Sequence, residues 1–201
     1  MEKHYAIEYS AAILRSALLD FRHEDTEEAL NERLDVLMDN DVLHIDDPAL
    51  SQVIHKGPYH GPLLHEVLWN CGHYRMSSTS GLSWVSLLLS RGASVRCSHL
   101  GVESVGVLVR AVRQSCAQAA NLTPIATLLI EAGADPWNGL CQEDRTKLDV
   151  GGIVKMLEAK NQQELAGYLA PLMRAQKTRD EAAVLDCATR KTLAEARRHC
   201  L

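Results

Sequence analysis

The chain has 201 residues, with 26 acidic and 21 basic side chains for a formal net charge of -5, and only 4% aromatic residues. That length suits one domain that buries an aliphatic core without metal or disulfide help, and no window approaches the roughly 18 uninterrupted apolar residues of a membrane-spanning helix. Thirteen acidic and four basic side chains fall in residues 1–50, against four acidic and seven basic in 174–201, a polarity that argues against general affinity for a phosphate backbone and for complementarity to a protein surface.

In chain order, Ile7, Ala11, Leu14, Leu18 and Phe21 recur at steps of three and four and predict a helix over Tyr5 to Phe21. A second helix is expected from Thr26 to Met38, with Thr26 as cap, Glu27 and Glu28 in the first turn and Leu30, Leu34 and Leu37 as the stripe. Residues Asp39 to Gly61 read as turns, with Asp39-Asn40-Asp41 as one of them and a short helix near Pro48 to Ile54. Then come Pro62 to Trp69 as a helix, a polar insertion from Gly72 to Gly81, and a helix from Leu82 to Arg91.

The order helix, loop, helix, glycine turn then returns. Val105 to Cys116 is the next first helix, Ala117 to Leu122 the connection, and Thr123-Pro124 opens a second helix that runs to Ala132, threonine capping and proline taking the first helical position. Leu87-Leu88-Leu89-Ser90-Arg91-Gly92-Ala93 and Leu128-Leu129-Ile130-Glu131-Ala132-Gly133-Ala134 repeat one pattern 41 residues apart, an apolar helical end closed by glycine. A third copy, Gly152 to Ala159 with Gln162 to Met173, lacks that turn; His65, Arg110 and Lys155, each 45 residues apart, suggest a common register for the three first helices. The segment Thr178 to His199 reads as a separate capping helix with Cys187 toward its buried side. The fold class expected is therefore all-α, a short solenoid of stacked antiparallel helix pairs.

These phrases resemble the ankyrin-repeat family. Pro62-Leu63-Leu64-His65 is similar to the family's opening phrase, and Arg91-Gly92-Ala93 and Ala132-Gly133-Ala134-Asp135 to its closing one. The resemblance covers residues 61–173, with 1–60 as a degenerate N-terminal cap or repeat and 174–201 as a C-terminal capping helix, all in one domain. It departs from the family in its intervals of 41 and 45 against a usual period of about 33. In Val107-Leu108-Val109-Arg110 it also lacks the opening phrase.

The resemblance implies noncatalytic recognition of one protein partner by the first helices and the fingers between repeats, either masking that partner as an immunity-like inhibitor does or recruiting it. The side chains expected to carry it are Glu66, Arg110, Arg113 and Lys155 on first helices; Arg96, His99, Trp137 and Asn138 on fingers; Tyr59 and His60 on an earlier finger; and Tyr74 and Arg75 in the insertion. A microbial effector, a scaffold and a small helical enzyme with an unrecognised cleft are the competing readings.

No phosphate-binding loop, zinc-protease motif or complete calcium loop is present. Cys71-Gly72-His73 and Cys97-Ser98-His99 have the chemistry of a zinc site without its usual spacing. The expectation is thus no metal, cofactor, nucleic acid or membrane partner, and a monomer or weak homo-oligomer. The six cysteines, at 71, 97, 116, 141, 187 and 200, show no tight pairing and no leader-like segment precedes them, which favours a reducing cytoplasm and leaves signal-independent export open.

Overall fold

A computed structural model describes residues 9–14, 16, 27–41, 44–50, 61–73, 76–97, 101–115 and 121–199. Residues 9–14 and 48–50 are helical, and eight further helices follow the chain: α1 Glu27–Asp41, α2 Leu63–Gly72, α3 Ser78–Ser90, α4 Ser104–Gln114, α5 Thr123–Glu131, α6 Gln142–Lys147, α7 Val150–Ala159 and α8 Gln163–His199. The helices form two layers. α2, α4 and α7 lie side by side in one, α1, α3, α5 and α8 in the other, and the antiparallel pairs α2/α3, α4/α5 and α7/α8 join them. The chain is thus an all-α solenoid of stacked helix pairs, with the short α6 inserted before the last pair.

One core runs through the stack, from Leu30 and Leu34 through Leu68, Trp84 and Leu108 to Ile153 and Leu169. Each repeat alone would leave an apolar face in water, and stacking removes those faces from it. α2 is the most enclosed: of its ten residues only Trp69 is half-exposed, and even His65, Glu66 and Asn70 are interior. α4 approaches it closely at its end, where a Cβ on Gly72 would stand 2.4 Å from the Cβ of Ala111. The absence of a side chain at glycine lets the two backbones meet there.

The glycine turns form as their sequence predicts. Gly92 and Gly133 have φ of +82° and +94°, Ala93 and Ala134 N–H groups donate to the carbonyls of Leu88 and Leu129 at 3.0 and 2.9 Å, and the glycine N–H groups bond to Leu89 and Ile130. Orphan carbonyls at the ends of α3 and α5 are thereby satisfied. The last pair uses the same device between its two helices, with Asn161 at φ 57° and Gln162 N–H donating to Leu157 at 2.9 Å.

Several expectations are corrected. Asp39-Asn40-Asp41 lies within α1 and is not a turn. The polar insertion is shorter than expected, because Ser77 caps α3 by accepting from the Ser80 N–H at 3.0 Å. Thr123 is not a cap: it is the first helical residue and Pro124 the second, with Leu122 at the cap position and its carbonyl bonded to Ala126. The 45-residue register is not structural, since α2 and α4 begin 41 residues apart; Gly106, not Arg110, occupies the place of the buried His65. The C-terminal segment is no separate helix but the continuation of the 37-residue α8, which passes through Pro171 without ending, and Cys187 is exposed. Nothing between Ala175 and Asp180 breaks a helix. The first-helix reading of Tyr5 to Phe21 and the short helix to Ile54 lie largely outside the described residues.

A Cβ at Gly133 or at the exposed Gly167 of α8 would meet no atom within 4 Å, so only the backbone distinguishes them. Gly133→Ala is expected to destabilise the chain by about 1 kcal/mol because of its positive φ, and Gly167→Ala to stabilise it by about 0.5–1 kcal/mol, both read from urea unfolding.

Candidate functional site

The candidate site is the first-helix layer with the fingers that project between repeats. The first finger, after α3, is held by Asp46, whose two carboxylate oxygens accept from the Ser94 N–H at 3.0 and 3.1 Å. Its Val95 carbonyl accepts from Ser104 N–H at 3.3 Å, and its Arg96 reaches forward to donate from Nε to the Gly133 carbonyl at 2.8 Å. The second finger, after α5, is an aspartate-led turn: Asp135 Oδ1 accepts from the N–H groups of Trp137 and Asn138 at 2.9 and 2.7 Å. The Gly139 carbonyl at its far side accepts from Glu103 N–H at 2.9 Å. Both fingers are therefore braced against the start of α4.

Trp137 and Asn138 sit at the second finger but face α8. The indole is only 7% exposed, with the Lys177 ammonium 5.5 Å from its ring centroid. Asn138 donates from Nδ2 to Asp180 at 2.7 Å and to Asp135 at 3.1 Å, and accepts from Arg145 at 3.0 Å. These residues form one wall of a groove of about 520 Å³ whose floor is Val184, Leu185 and Ala188 of α8.

On the first-helix layer, Glu66 is interior at 2% exposure and is hydrogen-bonded by Asn70 Nδ2 at 3.2 Å. Arg113 on α4 pairs with the buried carboxylate of Asp144 on α6. Arg110 is half-buried and Lys155 exposed on the neighbouring helices α4 and α7. The exposed Glu143 of α6 is drawn below the usual carboxylate range first by Lys147, 2.5 Å away, and then by the charges of Arg113 and Arg110. The surface that reaches solvent is thus a mixed-charge field across α4, α6 and α7. Tyr59, His60, Tyr74, Arg75 and His99 lie outside the described residues.

Sequence reading passed over α6 altogether, although Glu143 and Asp144 in its first turn and Arg145 and Lys147 in its last match the helix dipole. It placed Asp46 among turns and Asp135 in a closing phrase and finger, without the hydrogen bonds by which each holds a finger. On the opposite face, α3 and α5 leave an uncharged groove of about 530 Å³ lined by Leu82, Ser83, Ser86, Pro124, Thr127 and Leu128.

The cysteine and histidine phrases lead elsewhere. Cys71 is buried with its thiol 3.7 Å from the Met76 sulfur, and burial pushes that thiol up to about 12. Cys97 is half-buried and also pushed up, by burial and by Asp46. Among the described residues no three His, Cys, Asp or Glu side chains are grouped to hold a metal ion, and no helix is long and apolar enough to cross a membrane.

No family model matches the chain, and neither the curated proteins nor the solved structures contain a match to it.

Glu103, which precedes α4, has a carboxyl raised above its ordinary value by burial first and by Asp135 second, with Arg96 opposing. Its Oε2 is shut off from solvent without a hydrogen-bond partner among the described residues. A raised carboxyl favours the folded state when protonated, so this group's penalty is complete at neutrality and relieved as pH falls through the raised value toward 4.5. Glu103→Gln should leave the chain at least as stable at neutral pH and reduce the relative gain on acidification, as urea midpoints across that range would show. The hydrogen bonds from Arg91 hold Asp35 below its ordinary value, which is the opposite sign and is untouched by this substitution.

Proposed function

We propose that this chain is a noncatalytic protein-recognition array, a divergent member of the ankyrin kind, that captures one protein partner on its first-helix face and masks or recruits it. The observation that carries the reading is the mixed-charge field on α4, α6 and α7, set beside fingers braced by backbone hydrogen bonds from repeat to repeat. The ankyrin attribution is supported by the left-handed glycine turn that ends both α3 and α5 and by the Pro62-Leu63-Leu64-His65 entry to α2. The longer interval between repeats marks the divergence.

A stack of this kind varies its outward side chains without disturbing the core between repeats. Bracing the fingers beforehand lowers the ordering entropy that binding must overcome. Opposite charges interspersed at Arg110, Glu143, Lys147 and Lys155 select a partner of complementary pattern and do not attract polyanions in general. Occlusion of an enzyme's surface, in the manner of an immunity protein, is the mechanism that suits a compact array. Glu66 is no part of the proposed surface because it is interior, and Trp137 contributes by holding the second finger on α8 instead of inserting into the partner.

The test begins with the partner retained by the intact chain and titrated as a purified component. Arg110→Glu combined with Lys155→Glu is expected to weaken binding at least tenfold through the reversal of two surface charges. Ser86→Glu, in the groove on the opposite face, is expected to leave it unchanged. Equal affinity for the first variant, or equal loss in both, would overturn the choice of face, and failure of the wild-type chain to retain any protein would overturn the recognition reading.

A further inference from the structure

The second half of α8 has no place in the recognition surface, yet every side chain from 181 to 191 is exposed. Val184 and Leu185 are each 70% exposed, side by side on a helix whose earlier residues Leu165, Leu169 and Met173 are fully buried. Glu181, Val184, Ala188 and Lys191 recur at steps of three, four and three, so they share one stripe. Leu185 flanks it. Glu181 is within 4.0 Å of Lys177, an exposed pair one turn earlier on the same helix; Asp186 and Arg190 pair with each other at 2.7 Å on the opposite side of the helix, and Asp180 is tied to Asn138.

The stripe is symmetric about residue 186. Glu181 and Lys191 stand five residues to either side of it, Val184 and Ala188 two. An antiparallel copy of the same stripe, related by a two-fold axis that crosses the stripe at the level of residue 186, would set Glu181 against Lys191 of the second copy at both ends and Val184 against Ala188 between them. A foreign helix would need this charge order by coincidence, whereas a second copy carries it necessarily.

We infer that the exposed half of α8 is a self-association face, through which two copies of this chain pair antiparallel along Glu181, Val184, Ala188 and Lys191. The groove that this stripe floors, walled on one side by Trp137, Asn138 and Arg145, receives the aliphatic side chains of the second copy. A helix pair of this length buries less than the roughly 1,200 Å² of a stable complex, so the pairing is weak and reversible. It uses a different face from the proposed recognition surface and does not depend on that reading.

Sedimentation velocity on the intact protein, from micromolar to near-millimolar concentration at low salt, tests it. The wild-type chain should pass from monomer to dimer over that range, and added salt should shift the transition to higher concentration. Glu181→Lys alone and Lys191→Glu alone each replace two attractive contacts with repulsive ones and should weaken dimerisation about tenfold or more. An equimolar mixture of the two variants should restore it, as should the double exchange in one chain. Both side chains are exposed, so circular dichroism should be unchanged. A wild-type chain that stays monomeric throughout would overturn the inference, and so would a dimer indifferent to the reversals or a mixture that fails to recover.

Discussion

The arrangement depends on the close approach of α2 and α4. These two first helices lie together in one layer, and the end of α2 meets α4 where Gly72 faces Ala111. Any larger side chain at Gly72 would drive the helices apart, and the separation would spread, because α3 and α5 are stacked on the same two helices. Enclosure follows from this contact. It turns α2 into an interior helix whose His65, Glu66 and Asn70 are removed from solvent, and it leaves α4 and α7 to present the outward side chains of the layer.

Around that contact the edges are fastened by cations. Arg91, at the end of α3, donates to Asp35 and to the side chain and carbonyl of Asn31 on α1. Arg96 ties the first finger to the turn after α5, and Arg113 ties α4 to α6 through Asp144. A guanidinium suits such places because its planar fork can serve two acceptors at once. The pair of Arg91 with the exposed Asp35 contributes little stability; the consequence of all three contacts is positional, fixing where each finger and helix stands relative to the next repeat. Two arginines that read as partner contacts therefore serve the array itself, and the outward charge is left to Arg110, Glu143, Lys147 and Lys155.

Local signals in the sequence were the legible part. The glycines at 92 and 133 mark left-handed helix ends, the stripe of Leu30, Leu34 and Leu37 marks a buried helical face, and the helix pairs follow in the expected order. What escaped was pairing between distant residues. Nothing near Trp137 announces that Lys177 and Asp180, some forty residues later, will close over its finger. Nothing near Arg113 announces Asp144. The matching 45-residue spacing of His65, Arg110 and Lys155 is a coincidence of composition, since inserted residues alter helix starts without altering helix character. The continuation of α8 was missed for a related reason: amphipathic spacing says that a segment is helical, not whether a neighbour covers it, so the exposure of Val184, Leu185 and Cys187 was not visible.

The most direct test of the stacked account is a nuclear Overhauser measurement between the Ala111 methyl group and the α-protons of Gly72 in the folded protein. The account predicts a strong cross-peak, since so short a separation of the two backbones brings these protons into contact. A well-dispersed spectrum in which both groups are assigned and no such cross-peak exists would contradict the packing of α2 on α4, and with it the two-layer array.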